Sequence, residues 1–353
     1  MEGKTDMRTT KPYLIAEMGV NFYDTARAEG ITPMEAAKRY VDGAAEAGCD
    51  CAKFQSYKAG TIVSKNSPAY WDLTKEPTKT QYDLFKKHDS FGEAEFAELR
   101  EYTHAKAMDF TSTPFDYVSA DYLDKYVDFY KISSSDLSNL PFIEHIGAKG
   151  KPVVLSVGAA YLSEVDEAVR ALRGAGCEDV TLLHCVLSYP TSPDDANLRV
   201  IQTLKADFPG VRVGFSDHVA PDPTMMTLAT AYLLGAEVIE KHFTLDKALP
   251  GNDHYHSGDV DDFKRAVANF RFIDRVLGSP EKTVLPCEKV PRREARRSLV
   301  LTRDMRAGEV IQGSDLMPKR PGTGIPAKFE GIVVGRAVKA DLPEDTVLTW
   351  DMV

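Results

Sequence analysis

Residues 211–218 read VRVGFSDH, and residues 236–243 read AEVIEKHF. Each segment is a short apolar run that ends in polar residues, and the helix-like stretch Pro223–Leu234 separates the two runs. A strand, a helix and a second strand in this order predict a βαβ unit with parallel strands. Because α/β proteins bind ligands and metals at the carboxyl ends of parallel strands, we expect His218 and His242 to point into one crevice.

The same alternation of strand and helix extends over most of the chain. The predicted strands are Tyr13–Gly19, Cys51–Gln55, Asp109–Pro114, Phe129–Ser134, Pro152–Gly158, Val180–Cys185, Val211–Ser216 and Val238–Phe243. The helix-like stretches include Thr32–Ala47, Gly92–Ala107, Ser163–Ala175, Asn197–Phe208 and Pro223–Leu234. Proline at the first helical position is a helix start signal, and it follows both Thr32 and Asp222. This pattern predicts an α/β protein with a (β/α)₈ TIM barrel.

The pattern changes after Gly278. The remaining sequence has turn residues every few positions and no helical period, which predicts a compact, mostly-β module. We divide the chain into a barrel domain at residues 1–280, a linker at 281–297 and a small mostly-β domain at 298–353. The linker carries a basic cluster, Arg292, Arg293, Arg296 and Arg297. We interpret it as solvated, with contact to a phosphate or carboxylate as the alternative.

The composition indicates an ordinary cytoplasmic protein, with 43% hydrophobic and 27% charged residues. A formal net charge of −10 argues against a nucleic-acid surface. The N-terminus MEGKTDMRTTK lacks an apolar signal core, and no apolar run has the length of a membrane helix. The cysteines, Cys49, Cys51, Cys177, Cys185 and Cys287, are odd in number. We expect buried, reduced thiols without metal or disulfide chemistry.

Polar residues gather where the predicted strands end rather than where they begin. They are Glu17, Lys53, Gln55, Thr113, Lys131, Ser134, Ser156 and Ser216, besides the two histidines. A barrel builds its active site on this face, so the pattern indicates an enzyme. Two lysines among short hydroxyl groups suit a small anion with phosphate and carboxylate groups, such as phosphoenolpyruvate. A Schiff-base aldolase is the alternative use of a strand-end lysine.

His218 and His242 form a candidate site for a divalent metal ion. Two imidazoles leave coordination positions open, which suits Mn, Mg or Zn holding water or substrate. Such an ion would polarise the carbonyl of a second substrate. Glu17 is the carboxylate available for moving protons or orienting a water molecule.

Two loops are expected to contribute to the mouth of the barrel. Residues 64–91 form a long loop rich in aromatic residues and lysine, and loops of this length usually have a function. In the second loop, Asp253 could bind sugar hydroxyls or the metal. His254 and His256 of the same loop are expected to be hydrogen bonders rather than metal ligands.

The site residues lie within a series of short motifs. In order along the chain these are AEMG, KFQ, STPF, YKISSSD, LSVG, LLHC, SYPT, GFSDH, EKHFT, PGND and KRPGTG. Together they resemble the sialic acid synthase family, and the tail resembles the antifreeze-like domain of its members. The resemblance implies condensation of phosphoenolpyruvate with an N-acetylmannosamine-type sugar, with His218 and His242 holding Mn or Mg. It places Lys53, Thr113, Lys131, Ser134, Ser156 and Ser216 around phosphoenolpyruvate.

The resemblance also implies sugar contacts and a dimer. Gln55, Tyr189 and Asp253 would face the acylated sugar, as would Asp136, which stands where many members have Glu. Arg320 of KRPGTG matches an arginine that reaches the partner's site in a domain-swapped homodimer and contacts the N-acyl group of the sugar.

The chain departs from the family pattern at the predicted mouth. Asn21-Phe22 stands where the usual pair is Asn-His, and we interpret the following FYDTARAEG as an extended loop that rebuilds part of the mouth. Leu187 and Ser188 replace polar residues that commonly precede the Tyr-Pro pair. Residues 64–91 also differ. These changes bear on the identity of the sugar rather than on the chemistry.

We therefore interpret the chain as a nonulosonic acid synthase for a 2-acetamido sugar. An N,N'-diacetyllegionaminate or pseudaminate synthase is the alternative, because apolar groups at the mouth favour a deoxygenated acceptor. A synthase for a sugar phosphate would need an arginine-rich pocket, which the barrel sequence lacks. The non-enzyme alternative is a sugar-binding protein with an inactive barrel. The lysines and histidines of the predicted site argue against it.

Overall fold

The computed structural model describes residues 12–251 and 253–353, so the predicted absence of a signal core in residues 1–11 lies outside it. The chain divides into two compact units, one up to Gly278 and one from Ser279 to Val353. The strands of the first unit are β1 (Tyr13–Gly19), β2 (Cys51–Ser56), β3 (Asp109–Pro114), β4 (Tyr130–Ile132), β5 (Val153–Ser156), β6 (Val180–Cys185), β7 (Arg212–Asp217) and β8 (Val238–His242).

These strands form one parallel sheet in the order β3-β2-β1-β8-β7-β6-β5-β4. The first and last strands are neighbours, with Tyr13 opposite Val238 and Glu17 opposite His242. The end strands of the sheet also meet, since the backbone N–H of Asp128 donates to the carbonyl of Phe110 at 3.0 Å. The sheet is therefore rolled into a near-complete barrel, and the predicted (β/α)₈ architecture is confirmed.

Helices follow the strands around the outside of the barrel. They are α1 (Asn21–Glu29), α2 (Pro33–Ala47), α3 (Ala59–Ile62), α4 (Gln81–Lys86), α5 (Glu93–His104), α6 (Tyr117–Leu123), α7 (Leu140–Gly147), α8 (Leu162–Gly174), α9 (Val200–Asp207), α10 (Met226–Leu233) and α11 (Val260–Leu277). The prediction of an extended loop after the first strand is wrong, because these residues form helix α1. It begins without a side-chain cap and ends at Gly30, whose left-handed backbone continues into the next loop.

The inside of the barrel is apolar at one end and charged at the other. Alternate residues of each strand point inward. The amino-terminal layer contains Tyr13, Ile15, Cys51, Phe129, Val154, Leu183 and Val238, which pack into one cluster. The next inward positions are charged: Glu17, Lys53, Lys131 and Glu240 are each at most 4% exposed. The apolar layer closes the bottom of the barrel, so the charged groups open only toward the carboxyl ends of the strands.

The second unit has its own small core and mostly irregular backbone. Strands β9 (Ser298–Leu301) and β10 (Leu316–Lys319) are antiparallel, with Leu316 opposite Leu301. Its helices are α12 (Lys289–Ala295) and α13 (Glu330–Val333). The core consists of Leu299, Leu301, Met305, Ile311, Leu316, Ile325, Val333, Val338, Leu348 and Val353. This small antiparallel sheet confirms the predicted change of architecture.

The burial of the cysteines agrees with the sequence prediction, with one exception. The cysteines of the described chain form no disulfide, and all are buried except Cys287, for which the expected burial is wrong because it lies in the exposed segment after the barrel. In the described part of the chain, no helix combines the length and the apolar content needed to cross a membrane.

Candidate active site

The centre of the site is a cluster of buried charges on four strands of the barrel. Lys53 on β2 forms an ion pair with Glu17 on β1. Glu240 on β8 lies between the two lysines, with Oε1 3.7 Å from Lys53 Nζ and 3.9 Å from Lys131 Nζ. The four side chains come together because each occupies an inward position directly above the apolar layer of the barrel.

Short hydroxyl groups surround these charges. Thr113 Oγ1 accepts a hydrogen bond from Lys53 Nζ at 3.2 Å, and Ser156 Oγ accepts one from Lys131 Nζ at 2.7 Å. Ser216 Oγ donates to Glu240 Oε1 at 3.0 Å. Ser134 Oγ accepts from the backbone N–H of Gly158 at 2.9 Å. The predicted lysines and hydroxyls therefore line one small polar pocket with about 370 Å³ of space.

Burial and ion pairing set different protonation states for the two carboxyl groups. Burial raises the pKa of Glu17 to about 7, and the nearby Glu240 adds to this shift. Burial also acts on Glu240, but the ammonium groups of Lys131 and Lys53 outweigh it and hold its pKa below the ordinary value. Burial lowers the pKa of Lys131. Glu17 can thus exchange a proton near neutral pH, whereas Glu240 stays ionised.

His218 and His242 meet at the upper edge of the same pocket, as predicted. Their ring centroids lie 5.5 Å apart. His218 Nδ1 is 2.7 Å from the carbonyl oxygen of Val186. If Nδ1 carries the proton and donates to this oxygen, Nε2 keeps its lone pair. Burial lowers the pKa of His218 to about 4 and that of His242 well below its ordinary value. Neutral imidazoles at this distance fit a divalent metal ion.

A second group of ligand atoms also includes His242. Nitrogen and oxygen atoms of His242, Asp253 and His256 all lie within 4.8 Å of one another. His242 Nδ1 is 3.6 Å from Asp253 Oδ2. The structure thus contains a possible metal site that includes one predicted histidine.

The two other loop histidines differ from each other. His254 Nδ1 is 2.7 Å from Thr244 Oγ1, so the prediction of a hydrogen-bonding role is confirmed for this residue. For His256 the same prediction is wrong. Its side chain is fully buried, and neither ring nitrogen has a hydrogen-bond partner among the described residues.

A wider cavity of about 1470 Å³, including its opening, lies above the polar pocket. We call it the mouth cavity. Gln55, Asp136, Tyr189 and Asp253, the predicted sugar contacts, all line it. Asp136 Oδ2 is buried without a hydrogen-bond partner in the described chain, and burial raises the pKa of Asp136 to about 6. A hydroxyl or amide group of a ligand would satisfy this oxygen.

Residues 64–91, which we call the mouth segment, form part of the wall of the mouth cavity. Tyr70, Gln81, Leu84, Phe85 and His88 of this segment line the cavity. Trp71 braces the segment internally, because its side chain is buried and its Nε1 donates to the carbonyl of Glu76 at 3.1 Å. The predicted position of this loop at the mouth is confirmed.

Two of the predicted departures have different consequences in the structure. Phe22 does not rebuild the mouth: it is buried in α1 and packs on Tyr23, Phe54 and Phe91, with ring centroids 4.3, 5.7 and 5.1 Å away. Phe22 itself therefore lies outside the mouth cavity, whereas Asp24 of the same FYDTARAEG segment lines it, as does Asn21. Leu187 does line the mouth cavity and is 40% exposed.

Sequence reasoning missed Glu240 as a central site residue. The signal was present, because Val238, Glu240 and His242 alternate along β8 and share the inward face. Arg320 belongs to the second unit, where it is exposed. The other predicted site residues all line the polar pocket or the mouth cavity.

The fold and site define a class of protein, a TIM-barrel enzyme with a buried polar pocket beside a possible metal position. The chain belongs to the NeuB family, which residues 40–282 match, and residues 296–353 match the SAF domain. It is thus an enzyme, a transferase of the condensing synthase type.

Relatives of known activity cover nearly the whole chain. The N,N'-diacetyllegionaminic acid synthase of Legionella pneumophila is 37% identical over 346 residues, which are 96% of this chain and 94% of that protein. The N-acetylneuraminate-9-phosphate synthase of Homo sapiens is 30% identical over 347 residues, 97% of this chain and 92% of that protein. The N-acetylneuraminic acid synthetase of Leptospira borgpetersenii, crystallised with citrate, has a TM-score of 0.67 and 32% identity, covering 80% of this chain and 90% of that structure.

Proposed function

We propose that this protein is a nonulosonic acid synthase. It condenses phosphoenolpyruvate and water with an N-acetylmannosamine-type 2-acetamido sugar to give a nine-carbon 3-deoxy-2-ulosonic acid and phosphate. The observation that supports this most strongly is the buried cluster of Lys53, Lys131 and their hydroxyl partners beneath two neutral histidines. Relatives with sialic and legionaminic acid synthase activity support the same reaction class.

Phosphoenolpyruvate is proposed to bind in the polar pocket. Lys53 and Lys131 neutralise its phosphate and carboxylate groups, and hydroxyls of Thr113, Ser134, Ser156 and Ser216 supply hydrogen bonds. Burial excludes water and strengthens these charged contacts. The carboxylates of Glu17 and Glu240 raise the pKa of Lys53, and the Glu240 carboxylate opposes the burial that lowers the pKa of Lys131.

A divalent ion, Mn or Mg, is proposed to be held by His218 and His242. When bound, it would polarise the aldehyde carbonyl of the open-chain sugar. The methylene carbon of phosphoenolpyruvate attacks the aldehyde carbon, the aldehyde oxygen takes up a proton and becomes a hydroxyl, and water adds to the cationic carbon that results. Glu17, with a pKa of about 7, takes the proton of this water. Phosphate then leaves with cleavage of its carbon–oxygen bond, and the hydroxyl on the same carbon gives its proton to the departing phosphate and becomes the keto group.

The lining of the mouth cavity bears on the sugar acceptor. The cavity wall contains Asp24, Asp136 and Asp253, and no lysine or arginine of the described chain lines it. Carboxylates repel a phosphate group, so this wall favours an acceptor without phosphate. Gln55, Tyr189 and the Asp136 carboxyl are proposed to contact its hydroxyl and acylamino groups.

One observation favours a second candidate within the same reaction class. Ile62, Leu84, Phe85, Phe115 and Leu187 give the mouth cavity an apolar side. Such a wall suits the methyl group of a deoxygenated diacetamido sugar better than a hydroxymethyl group, since each buried methylene contributes about 1–3 kcal/mol to discrimination. N,N'-diacetyllegionaminate or pseudaminate synthase activity is therefore the second candidate.

We also propose a molecular organisation for this activity. Residues 1–280 form the synthase domain, residues 281–297 the linker and residues 298–353 the SAF domain. The protein acts in the cytoplasm as a domain-swapped homodimer, in which Arg320 of one subunit contacts the N-acyl group of the sugar in its partner.

Phosphate release tests the proposal directly. Metal-stripped enzyme is given phosphoenolpyruvate, Mn or Mg, and one of three acceptors: N-acetylmannosamine, its 6-phosphate, or 2,4-diacetamido-2,4,6-trideoxymannose. We expect metal-dependent release with an unphosphorylated acceptor and little with the 6-phosphate. His218→Ala serves as the control and should abolish release. Release without a sugar, or preference for the phosphate, would contradict the proposal.

A further inference from the structure

His256 is a buried polar side chain without a hydrogen-bond partner among the described residues. It lies in the 3₁₀ turn His254–His256 that follows the Pro250–Gly251 corner, and its side chain is fully buried. Neither of its ring nitrogens makes a hydrogen bond within the described chain. Burying a polar group without a partner costs on the order of 1–3 kcal/mol, so such an atom calls for a ligand, an ion or a water molecule.

The groups nearest to His256 are ligand-bearing side chains. The ring of His242 lies edge-on, with centroids 5.2 Å apart, and His256 Nε2 is 3.9 Å from Asp253 Oδ1. His242 Nδ1, which also lacks a hydrogen-bond partner in the described chain, is 3.6 Å from Asp253 Oδ2. Atoms that ligate one ion with bonds of about 2.0–2.2 Å lie roughly 3–4 Å apart. Small movements of these side chains would bring all three to one ion.

We propose that His256 and Asp253 are protein ligands of the divalent ion that His242 holds. This goes beyond the proposed function, which assigns the metal only to His218 and His242. It changes the chemistry of the site, because a further imidazole and a carboxylate would join the two histidines already assigned to the ion, and such a nitrogen-rich set suits a transition metal. Such a ligand set binds Co, Zn and Mn much more tightly than Mg, which prefers oxygen ligands and retains its water.

Direct metal binding separates this inference from the catalytic one. Isothermal calorimetry on metal-stripped protein measures Co²⁺ and Mg²⁺ affinity without any substrate. We expect wild-type protein to prefer Co²⁺, and His256→Asn to bind Co²⁺ at least about tenfold more weakly, since even outer-shell partners of metal ligands contribute this much. His254→Asn is the matched control, because His254 is equally buried in the same turn but bonds to Thr244. Its Co²⁺ affinity should stay at the wild-type value.

A second variant, His256→Cys, tests the inference by the appearance of a signal, so the test does not depend on the folding of His256→Asn. In His256→Cys the thiolate would bind the ion directly, so the Co²⁺ complex should acquire an intense near-ultraviolet thiolate-to-cobalt charge-transfer band. His254→Cys should lack this band. Wild-type Co²⁺ affinity in folded His256→Asn, or absence of the band in folded His256→Cys, would overturn the inference. Failure of phosphate release with intact Co²⁺ binding would instead count only against the synthase proposal.

Discussion

Glu240 controls the charge of the lysines at the centre of the site. Burial lowers the pKa of Lys131, and the Glu240 carboxylate opposes this shift. In Glu240→Gln the pKa of Lys131 should fall further, so the lysine loses its proton at lower pH. We expect the alkaline limb of kcat/KM for phosphoenolpyruvate to move to lower pH. Glu237→Gln, at an exposed position that pairs with Lys205, is the control and should leave the profile unchanged. An unshifted limb in Glu240→Gln would contradict this role.

Glu17 should produce the opposite limb of the pH profile. Its carboxyl is protonated below its pKa of about 7 and ionised above it, because burial favours the neutral form. A base must be ionised to accept a proton from water, so kcat should rise as the pH increases through about 7. Glu17→Gln should reduce kcat by roughly 10²- to 10⁴-fold, the usual contribution of a general base, and remove this limb. Steady-state rates over the neutral range test it, and a limb that survives in Glu17→Gln would assign the titration to another group.

The lysines and histidines of the site could be predicted from sequence, because they are charged or metal-binding residue types and lie at the ends of predicted strands. Lys53, Lys131, His218 and His242 all lie where the strand pattern places them. Glu240 was not predicted because it lies inside its strand and not at the strand end. Only the period of two along β8 indicates that it points inward. The role of His256 could not be predicted, since it depends on how a loop folds back over β8.

At the scale of elements, the strands were predictable because buried parallel strands are short apolar runs. Helix α1 was not, because its polar sequence and its missing side-chain cap give no start signal. Its position comes from tertiary contacts instead. Asn21 Nδ2 donates to the carbonyl of Phe243 at 3.1 Å, and Phe22 packs into the core. Such contacts are not readable from a local pattern.

Gly214 on β7 is the element-scale position at which the barrel interior has no room for a side chain. An added Cβ would lie 2.1 Å from the carbonyl oxygen of Val238 and 2.6 Å from Leu183 Cδ2. Gly214→Ala should therefore lower the free energy of unfolding by about 3 kcal/mol or more, at the upper end of overpacking effects. Gly174→Ala, where an added Cβ meets nothing within 4 Å, should change it by less than about 1 kcal/mol. Urea denaturation distinguishes the two, and equal stability of both variants would refute the argument.

The mouth segment should affect the sugar acceptor and leave phosphoenolpyruvate unaffected. Its residues line the mouth cavity, whereas the polar pocket is built by barrel strands and their ends. Trp71→Ala removes the buried side chain that braces the segment internally and should raise KM for the acceptor by about tenfold or more, because misplaced contacts lose binding and orientation. KM for phosphoenolpyruvate should stay within about twofold. Leu73→Ala, at a position that is 49% exposed, is the control. A parallel rise in both KM values would show that the segment supports the whole barrel.

At the scale of the whole molecule, the proposed domain-swapped dimer predicts that each active site needs residues from both subunits. Arg320→Ala lacks the arginine that contacts the sugar, and Lys131→Met lacks a phosphoenolpyruvate lysine, so both homodimers should be nearly inactive at low acceptor concentration. In a purified heterodimer of the two variants, the barrel of the Arg320→Ala subunit is intact and receives Arg320 from its partner. Activity should therefore return to about half of the wild-type value, because one of two symmetric sites is complete. Heterodimers separated by two affinity tags provide the measurement. An inactive heterodimer would place Arg320 in the site of its own subunit, and a monomer in sedimentation would remove its proposed role.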